Sequence, residues 1–149
     1  IEVKVLSFSE LSEEKKVLIE KAKEASFSAY APYSKFSVGA AVLLENGIVV
    51  VGNNQENVAY PSGLCAERTA LFAANANYPN VAPKALAIAA QTGGKFLGNP
   101  ISPCGSCRQV ILEAEKRFGK EIVMLLFGEK NIYEVTSVRS LLPLAFDEI

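Results

Sequence analysis

The sequence predicts an α/β protein in which a mixed sheet is covered by helices on both faces. Two kinds of apolar segment alternate along the chain: amphipathic stretches with helical spacing, and short β-branched runs typical of buried strands. Parallel strands need helical crossovers, which pack on the faces of the sheet. The predicted order α, β, β, α, β, α, β, β, α therefore indicates a three-layer sandwich with a mixed, five-stranded sheet.

The N-terminal part of the chain predicts one helix followed by a hairpin. The helix spans residues 9–29 and ends before Pro32, because a proline cannot continue it. Residues 38–44 and 48–51 are β-branched apolar runs, and the Asn-Gly pair between them favours a tight turn. The apolar positions of the helix recur at steps of three, four or seven residues, and they are Leu11, Leu18, Ala22, Ala25 and Ala29.

The C-terminal part predicts alternating helices and strands. Gly119 and Pro143 end the two helices that precede them. Because no linker or repeat interrupts the order, we expect residues 1–149 to form a single domain, with ligands bound beyond the carboxyl ends of its parallel strands. The predicted elements are a helix at 65–76, a strand at 85–90, a helix at 104–118, strands at 122–127 and 132–136, and a short helix at 137–142.

The composition argues against several classes of function. Fifteen Lys plus Arg against 16 Asp plus Glu give a formal net charge of −1, so no basic excess is available for a nucleic-acid backbone. The longest apolar run, counting glycine, is residues 38–44, far shorter than the roughly 20 residues that span a bilayer. We therefore expect a cytoplasmic protein with neither nucleic acid nor membrane as a partner. The absence of histidine removes imidazole ligands and imidazole acid–base chemistry.

Two of the three cysteines form a C-x-x-C motif at a predicted helix start. Pro103 suits the first helical turn, and the three-residue step from Cys104 to Cys107 places both thiols on one face. The unpaired N–H groups and positive dipole end of a helix start favour thiolates. Taken alone, the motif fits a metal site, a redox pair or two buried cysteines.

The third cysteine, Cys65, also lies at a predicted helix start. With no fourth cysteine and no histidine in the chain, a zinc site of three thiolates keeps one coordination position open, which is typical of catalysis. Glu67 can act as a base beside that position, or it can fill the position as a fourth ligand. The catalytic alternative requires Cys65 to lie at or before the first turn, because positions i and i+2 of a regular helix do not share a face.

Arg68 is the predicted counter-charge of this site. Three thiolates outweigh the charge of one zinc ion, which makes the ion a weaker Lewis acid. Hydrogen bonds from Arg68, together with the two helix N-termini, would offset the excess negative charge. The alternative for Arg68 is a solvated surface position.

The motifs CAERTAL at residues 65–71 and PCGSCRQV at residues 103–110 closely resemble those of the single-domain, three-cysteine cytidine deaminase family. Residues 30–36, 54–60 and 141–146 are also similar to family motifs, so the resemblance covers nearly the whole chain. It implies the cytidine deaminase fold and one Zn²⁺ per chain, held by Cys65, Cys104 and Cys107. It also implies that Glu67 carries protons between water, N3 of the cytosine ring and the leaving amine.

The same resemblance implies a set of substrate-binding residues. Asn54 and Glu56 match positions that hold the ribose hydroxyls, a task to which an amide and a carboxylate are chemically suited. Phe36 and Phe146 match aromatic positions of the base pocket, and in the family Phe146 reaches the site of a neighbouring subunit. We therefore expect a homotetramer with shared active sites. Three further positions match contributors to the pocket, namely Tyr60, Ala66 and Ser102.

The implied function is hydrolytic deamination of cytidine and deoxycytidine to uridine and deoxyuridine with release of ammonia, as part of pyrimidine salvage. Another aminopyrimidine nucleoside, such as blasticidin S, is an alternative substrate, because its deaminases share the cysteine motifs. Deamination of cytosine in nucleic acid uses the same zinc chemistry, but the net charge of −1 argues against it. A zinc-stabilised nucleoside-binding module is the non-catalytic alternative, and the presence of Glu67 argues against it.

Overall fold

One mixed sheet forms the middle layer of the molecule, which the computed structural model describes over residues 1–149. Its strand order is β1-β7-β6-β4-β2-β3, and β5 pairs with β4 beside this path. Strands β4 and β6 are parallel, whereas the other pairs are antiparallel. The strands are β1 (Lys4–Leu6), β2 (Ser37–Leu44), β3 (Val49–Asn53), β4 (Pro83–Thr92), β5 (Lys95–Phe96), β6 (Val123–Phe127) and β7 (Ile132–Val135).

Three α-helices cover the sheet, and short 3₁₀ helices lie in the connections. The α-helices are α1 (Glu13–Ser26), α2 (Ala66–Asn77) and α3 (Gly105–Phe118). The 3₁₀ helices are Phe8–Glu10, Tyr60–Ser62 and Val138–Leu141. None of the helices combines the length and the apolar character that a bilayer-spanning helix requires.

Alternation along the central strands builds two apolar cores and confirms the three-layer α/β architecture. Val42 of β2, Ile88 of β4 and Leu126 of β6 face α2 and α3. Their sequence neighbours, such as Ala41 and Ala87, face α1 on the opposite side. Each strand therefore contributes to both cores, because successive side chains of a strand point to opposite faces.

The sheet has seven strands, so the prediction of five was wrong. Strand β1 has three residues, and it becomes a strand only through antiparallel pairing with β7. Strand β5 has two residues, and it is the return of a tight turn in which Gly93 and Gly94 have φ angles of 61° and 83°. Residues 95–96 are too few to show a hydrophobic period. Apolar residues alternate with charged ones over residues 1–5, but they stay exposed and form no buried face.

The helix boundaries also differ from the prediction at both ends of the chain. The first predicted helix, residues 9–29, is shorter as α1, because the Ser12 side chain accepts a hydrogen bond from the Lys15 N–H and caps the helix there. Residues Phe8–Glu10 form a separate 3₁₀ turn. The predicted helix at 137–142 is a 3₁₀ helix, Val138–Leu141.

Gly52 allows α2 to lie directly against the sheet. A Cβ atom at Gly52 would lie 2.5 Å from the backbone nitrogen of Ala70, closer than such atoms approach. The backbone of α2 therefore packs on β3 with no side chain between them. This contact sets the height at which the N-terminus of α2 stands above the sheet.

The chain direction brings two helix starts to the same edge of the sheet. Strands β3 and β4 both run antiparallel to β2, and β4 is parallel to β6, so all three have their carboxyl ends at one edge. Helix α2 follows β3, and helix α3 follows β4 and the short β5. Their N-termini are therefore placed at the edge where α/β proteins bind ligands.

Candidate active site

The three cysteines of the chain meet at the N-termini of α2 and α3. The Sγ atoms of Cys65 and Cys104 lie 3.8 Å apart, and the three Sγ atoms, Cys107 included, all lie within 4.8 Å of one another. All three cysteines are free thiols. A cluster of unpaired thiols at this spacing is a metal site in its geometry and its donor chemistry.

The helix caps explain why these thiols converge. Cys65 is the N-cap residue of α2 and Cys104 is the N-cap residue of α3, both with extended backbone. Cys107 lies in the first turn of α3 and is fully buried. The side chains at a helix start face unpaired N–H groups and the positive end of the helix dipole, which stabilise negative charge there.

The surroundings of the cluster make its thiols unequal. Burial opposes ionisation of Cys104, but hydrogen bonds from the backbone and thiol of Cys107 and from Cys65 outweigh burial, so the Cys104 pKa is lowered. Burial, together with the negative charge of Glu67, raises the pKa of Cys107. Cys104 is therefore the more acidic of these two thiols.

Glu67 is a buried carboxylate in the first turn of α2, with 5% of its surface exposed. Burial raises its pKa above the ordinary value of 4.5, although its own backbone N–H, the Cys107 thiol and the charge of Arg68 act in the opposite direction. Because Cys65 lies before the helix as its cap, the condition that Cys65 sit at or before the first turn is met.

Arg68 lies against the cysteine cluster. Its Nη2 atom donates a hydrogen bond to the Cys65 sulfur at 3.4 Å, and this bond is the main reason that the pKa of Arg68 is raised. The Nε atom of Arg68 is buried without a hydrogen-bond partner. The guanidinium therefore places a permanent positive charge next to the thiols, and the residue is partly buried.

A cleft of about 570 Å³ opens beside Cys65 and Arg68. A nucleoside is of the size that such clefts accept. The cleft brings together five of the residues singled out from the sequence: Asn54, Glu56, Tyr60, Cys65 and Arg68. Its remaining lining residues are Tyr33, Ser34, Gln55, Asn57, Gly63 and Leu64.

Asn54 fastens the wall of the cleft to strand β2. Its Oδ1 atom accepts a hydrogen bond from the Val38 N–H at 2.8 Å, and its Nδ2 atom donates to the Phe36 carbonyl at 2.9 Å. The amide thus replaces a peptide group at the point where β2 begins. One N–H of Nδ2 and one lone pair of Oδ1 remain for a ligand.

Glu56 holds the loop that precedes β2. One carboxylate oxygen accepts hydrogen bonds from the backbone N–H groups of Tyr33 and Ser34, at 3.0 and 3.1 Å. The other oxygen accepts from the Ser34 hydroxyl, and this bond is the main reason that the pKa of Glu56 is lowered from 4.5. The adjacent Lys35 has a φ angle of 60°, a conformation that non-glycine residues adopt at a cost.

The comparisons with known proteins agree with this geometry. Residues 12–125 match the family model described as the cytidine and deoxycytidylate deaminase zinc-binding region. The chain belongs to this deaminase family.

Individual relatives support the family assignment over most of the chain. A cytidine deaminase of Sporosarcina psychrophila is 46% identical over 131 residues, covering 88% of this chain and 90% of that protein. One of Halalkalibacterium halodurans is 43% identical and covers 89% of this chain and 94% of that protein. The crystal structure of cytidine deaminase from Burkholderia pseudomallei has a TM-score of 0.74 and 41% identity, and covers 91% of this chain and 100% of that one.

Zinc, the ion of this deaminase family, fits the three thiols of the cluster. Tetrahedral zinc with Zn–S bonds of about 2.3 Å separates its sulfur ligands by about 3.8 Å. The Cys65–Cys104 separation is 3.8 Å. The prediction of zinc as the cofactor is confirmed by the family and by this cluster.

Four residues predicted for the substrate site of the deaminase do not line its cleft in one chain. Ala66 is buried at the start of α2, Ser102 is exposed in the loop before Cys104, and Phe36 packs partly buried against the core between the sheet, α2 and α3. Phe146 is 70% exposed and lies in a separate pocket with Gln109 of α3. Within a single chain, Phe146 does not reach the cleft.

The deaminase cleft also contains residues to which the sequence interpretation gave no role. Tyr33 and Ser34 lie in a segment similar to a family motif, and this similarity was the only signal for them. Gln55 forms bridges with Tyr30 on one side and Leu64 on the other, and its backbone exchanges hydrogen bonds of 2.9 and 3.0 Å with Leu64. Gln55 is therefore held beside the cleft by backbone bonds, which no side-chain pattern reveals.

Proposed function

We propose that this chain hydrolyses cytidine and deoxycytidine to uridine and deoxyuridine, releasing ammonia, with Glu67 as the proton carrier. Zinc-dependent deamination of cytidine is the activity of its family and of its relatives, as the sequence predicts. The observation that carries the proposal is the buried carboxylate of Glu67 beside a three-thiol cluster at the edge of a cleft.

The three thiols leave one coordination position of zinc open for catalysis, because they supply only three of the four ligands that zinc takes. When bound by Cys65, Cys104 and Cys107, zinc supplies an open position at which water becomes more acidic. Arg68 reduces the excess negative charge of the thiolates through its bond to Cys65.

Glu67 carries out both proton transfers of the reaction. It takes one proton from the attacking water and gives it to N3 of the ring while the oxygen adds to C4. It then carries a second proton from that oxygen to the 4-amino group, so that the C4–N bond breaks and ammonia leaves. Its raised pKa, a result of burial, makes the carboxylate a better proton acceptor than a solvated glutamate.

The cleft provides a place for the sugar. Glu56 offers carboxylate oxygens, and Asn54 keeps a free N–H, so together they can accept from and donate to a hydroxyl group. Both ribose and deoxyribose carry the 3′-hydroxyl, which supports the proposal that both nucleosides are substrates. Phe36, Tyr60, Ala66 and Ser102 are proposed to complete the binding site around the base.

We propose that the active enzyme is a homotetramer with shared sites. Phe146 and Leu144 are 70% and 96% exposed, far above the exposure that large apolar side chains usually have in a finished assembly. A neighbouring subunit that receives Phe146 in its cleft would bury it. Three free thiols are typical of a reducing compartment, which supports a cytoplasmic place in pyrimidine salvage.

Ammonia release from cytidine by the zinc-loaded protein tests the proposal. Glu67→Ala is expected to keep the fold and the zinc content of the parent but to lose at least about 10²-fold in turnover. Glu24→Ala, which removes an exposed glutamate of α1 on the other side of the sheet, is the matched control and keeps full turnover. Near-full turnover of Glu67→Ala contradicts the role of Glu67.

Activity of the unmutated protein, called the parent, toward three compounds distinguishes the alternative substrates from one another and from the non-catalytic binding module. Zinc-loaded parent that releases no ammonia from cytidine or deoxycytidine contradicts the proposed substrates, and release from blasticidin S would then identify the other substrate class. Inactivity toward all three compounds, with one zinc per folded chain, would favour the non-catalytic binding module.

A further inference from the structure

Arg108 connects two segments that are distant in the sequence. It directly follows the cysteine Cys107 in α3. Its Nε atom donates a hydrogen bond to the carbonyl of Pro103 at 2.8 Å, and its Nη1 atom donates to the carbonyl of Leu141 at 3.0 Å. One guanidinium thus contacts the residue before Cys104 and the end of the 3₁₀ helix Val138–Leu141.

The segment after that 3₁₀ helix, residues 142–149, is held on α3 by side chains. Residues 143–149 take part in no backbone–backbone hydrogen bond. Instead, Gln109 donates from Nε2 to the carbonyl of Phe146 at 2.7 Å, and Lys116 donates to the carbonyl of Asp147. We name residues 142–149 the C-terminal tail. Its position depends on these α3 donors and on Arg139 of the 3₁₀ helix, whose Nη2 atom donates to the Asp147 carboxylate at 2.9 Å.

The guanidinium of Arg108 is suited to transmit displacement. Its donors lie in a rigid, planar fork, so the positions of its two acceptors are fixed relative to each other. If the Pro103 carbonyl moves because the Cys104 loop has lost its metal, the bond to Leu141 must bend or break. The backbone N–H of Arg108 also bonds the Cys104 carbonyl at 2.9 Å, which fixes the guanidinium stem to the same loop.

We propose that Arg108 is a positioning residue that couples the cysteine loop to the C-terminal tail, so that zinc binding orders the tail. The inference rests on the proposed zinc site. By thermodynamic linkage, an ordered tail raises the affinity of the thiols for zinc by the same factor. In the proposed oligomer, the metal state of one subunit would thereby control how Phe146 is presented to a neighbour.

Cleavage of the tail by chymotrypsin after the exposed Phe146 and Leu144, measured without nucleoside in the zinc-loaded and zinc-free full chain, tests the coupling. In the unmutated protein, zinc loading is expected to protect the tail and to slow this cleavage by about fivefold or more. Arg108→Gln is expected to remove this zinc-dependent change and to weaken zinc binding by about tenfold in competition with a chelator.

Arg117→Gln is the matched control for the Arg108 variant. Arg117 also lies on α3, and its guanidinium also bonds a backbone carbonyl, that of Pro79 at 2.7 Å. It contacts neither the cysteine loop nor the tail by a hydrogen bond. Its variant is expected to keep both the zinc affinity and the zinc-dependent protection of the parent.

Two outcomes overturn the inference. One is a folded Arg108→Gln protein whose tail still gains the protection of the parent on zinc loading. The other is an unmutated protein whose tail is cleaved at the same rate with and without zinc, which decides the matter even if the variant fails to fold. Arg108→Lys gives a second check, because a single ammonium keeps the charge but cannot serve both carbonyls, so it should restore only part of the zinc-dependent protection.

Failure of this inference is distinguishable from failure of the proposed function. Tail protection and zinc affinity are measured without substrate. An active enzyme with an uncoupled tail overturns the inference alone, whereas a coupled tail in a protein that releases no ammonia overturns the proposed activity alone.

Discussion

The sulfur atoms of Cys65 and Cys104 lie 3.8 Å apart although 39 positions of sequence separate the two residues. Each is the cap of a different helix, and the two helices begin at the same edge of the sheet. The fold therefore brings together, at one edge of the sheet, two thiols that are distant in the sequence.

Zinc is expected to stabilise the folded chain in proportion to its occupancy. At a free zinc concentration of 100 times the Kd, a ligand that binds only the native state adds about 2.7 kcal/mol to the free energy of unfolding. Thermal unfolding of the parent with and without zinc measures this gain. Cys65→Ser should lose most of it, and an equal gain in that variant would show that Cys65 is not a ligand.

Glu67 is expected to make the metal-free protein less stable as pH rises. Because burial raises its pKa above 4.5, the protonated form favours the folded state, and that stability is lost as pH rises through the folded-state pKa. Metal-free Glu67→Gln should therefore be more stable than the parent at neutral pH and equally stable near pH 4.5. Chemical denaturation at both pH values measures the difference, and Glu24→Gln, at an exposed position, is the control. A variant no more stable than the parent at neutral pH contradicts the prediction.

Ser34→Ala is expected to make nucleoside binding more sensitive to acid. The Ser34 hydroxyl is the main cause of the lowered pKa of Glu56, so the parent keeps this carboxylate ionised below pH 4.5. Without the hydroxyl, the pKa of Glu56 rises, and KM should increase at a higher pH than in the parent. Profiles of kcat and KM from about pH 4 to about pH 8 check this, with kcat at neutral pH expected to change little. Identical KM profiles would contradict the role of Ser34.

Gly52→Ala is expected to displace α2 from the sheet. The added Cβ would lie 2.5 Å from the nitrogen of Ala70, and such overpacking costs about 1–3 kcal/mol of stability. Because α2 carries Cys65 and Glu67, zinc affinity and kcat should fall together with stability. Gly105→Ala, whose Cβ meets no atom within 4 Å, is the control and should keep the stability of the parent. Unchanged zinc affinity in Gly52→Ala would show that the contact does not place the site.

Phe146→Ala tests whether subunits share sites. The exposed ring contributes little to the fold, so stability should stay within about 0.5 kcal/mol of the parent. Its kcat/KM should fall, mainly through KM. When the variant is mixed with Glu67→Ala and the subunits are allowed to exchange, activity should return, because one site then combines Glu67 of one chain with Phe146 of another. No recovery after proven subunit exchange contradicts shared sites.

The sequence predicts the central parts of the fold because burial imposes a period there. Helices α2 and α3 and the β2–β3 hairpin were predicted close to their observed bounds. The pairing of β1 with β7 was not predicted: apolar and charged residues alternate over positions 1–5, but Val3 and Val5 are exposed, so the alternation marks no buried face. Whether residues 4–6 form a strand depends on pairing with β7, which is far away in the sequence and therefore not visible in a local pattern.

The sequence likewise predicts one part of the candidate site and not the other. The three cysteines and Glu67 were singled out because their chemistry is visible in residue type and spacing. The bonds of Asn54 to Phe36 and Val38 were not predicted, since they depend on how a loop lies beside the start of β2. The zinc requirement and the cytidine deaminase family are confirmed, whereas the individual residue roles stay predictions.

The wide sequence separation of Cys65 and Cys104 gives the bound metal a second consequence, which concerns the unfolded chain. With zinc on both thiolates, the 39-position segment between them becomes a closed loop, so the ion acts as a removable cross-link. Closing a loop of this length in the unfolded chain costs entropy equivalent to about 4 kcal/mol, which is a further reason that zinc binds the native state in preference to the unfolded one. In a reducing compartment, where disulfides do not persist, a metal held by reduced thiols can link two distant segments of a native chain instead.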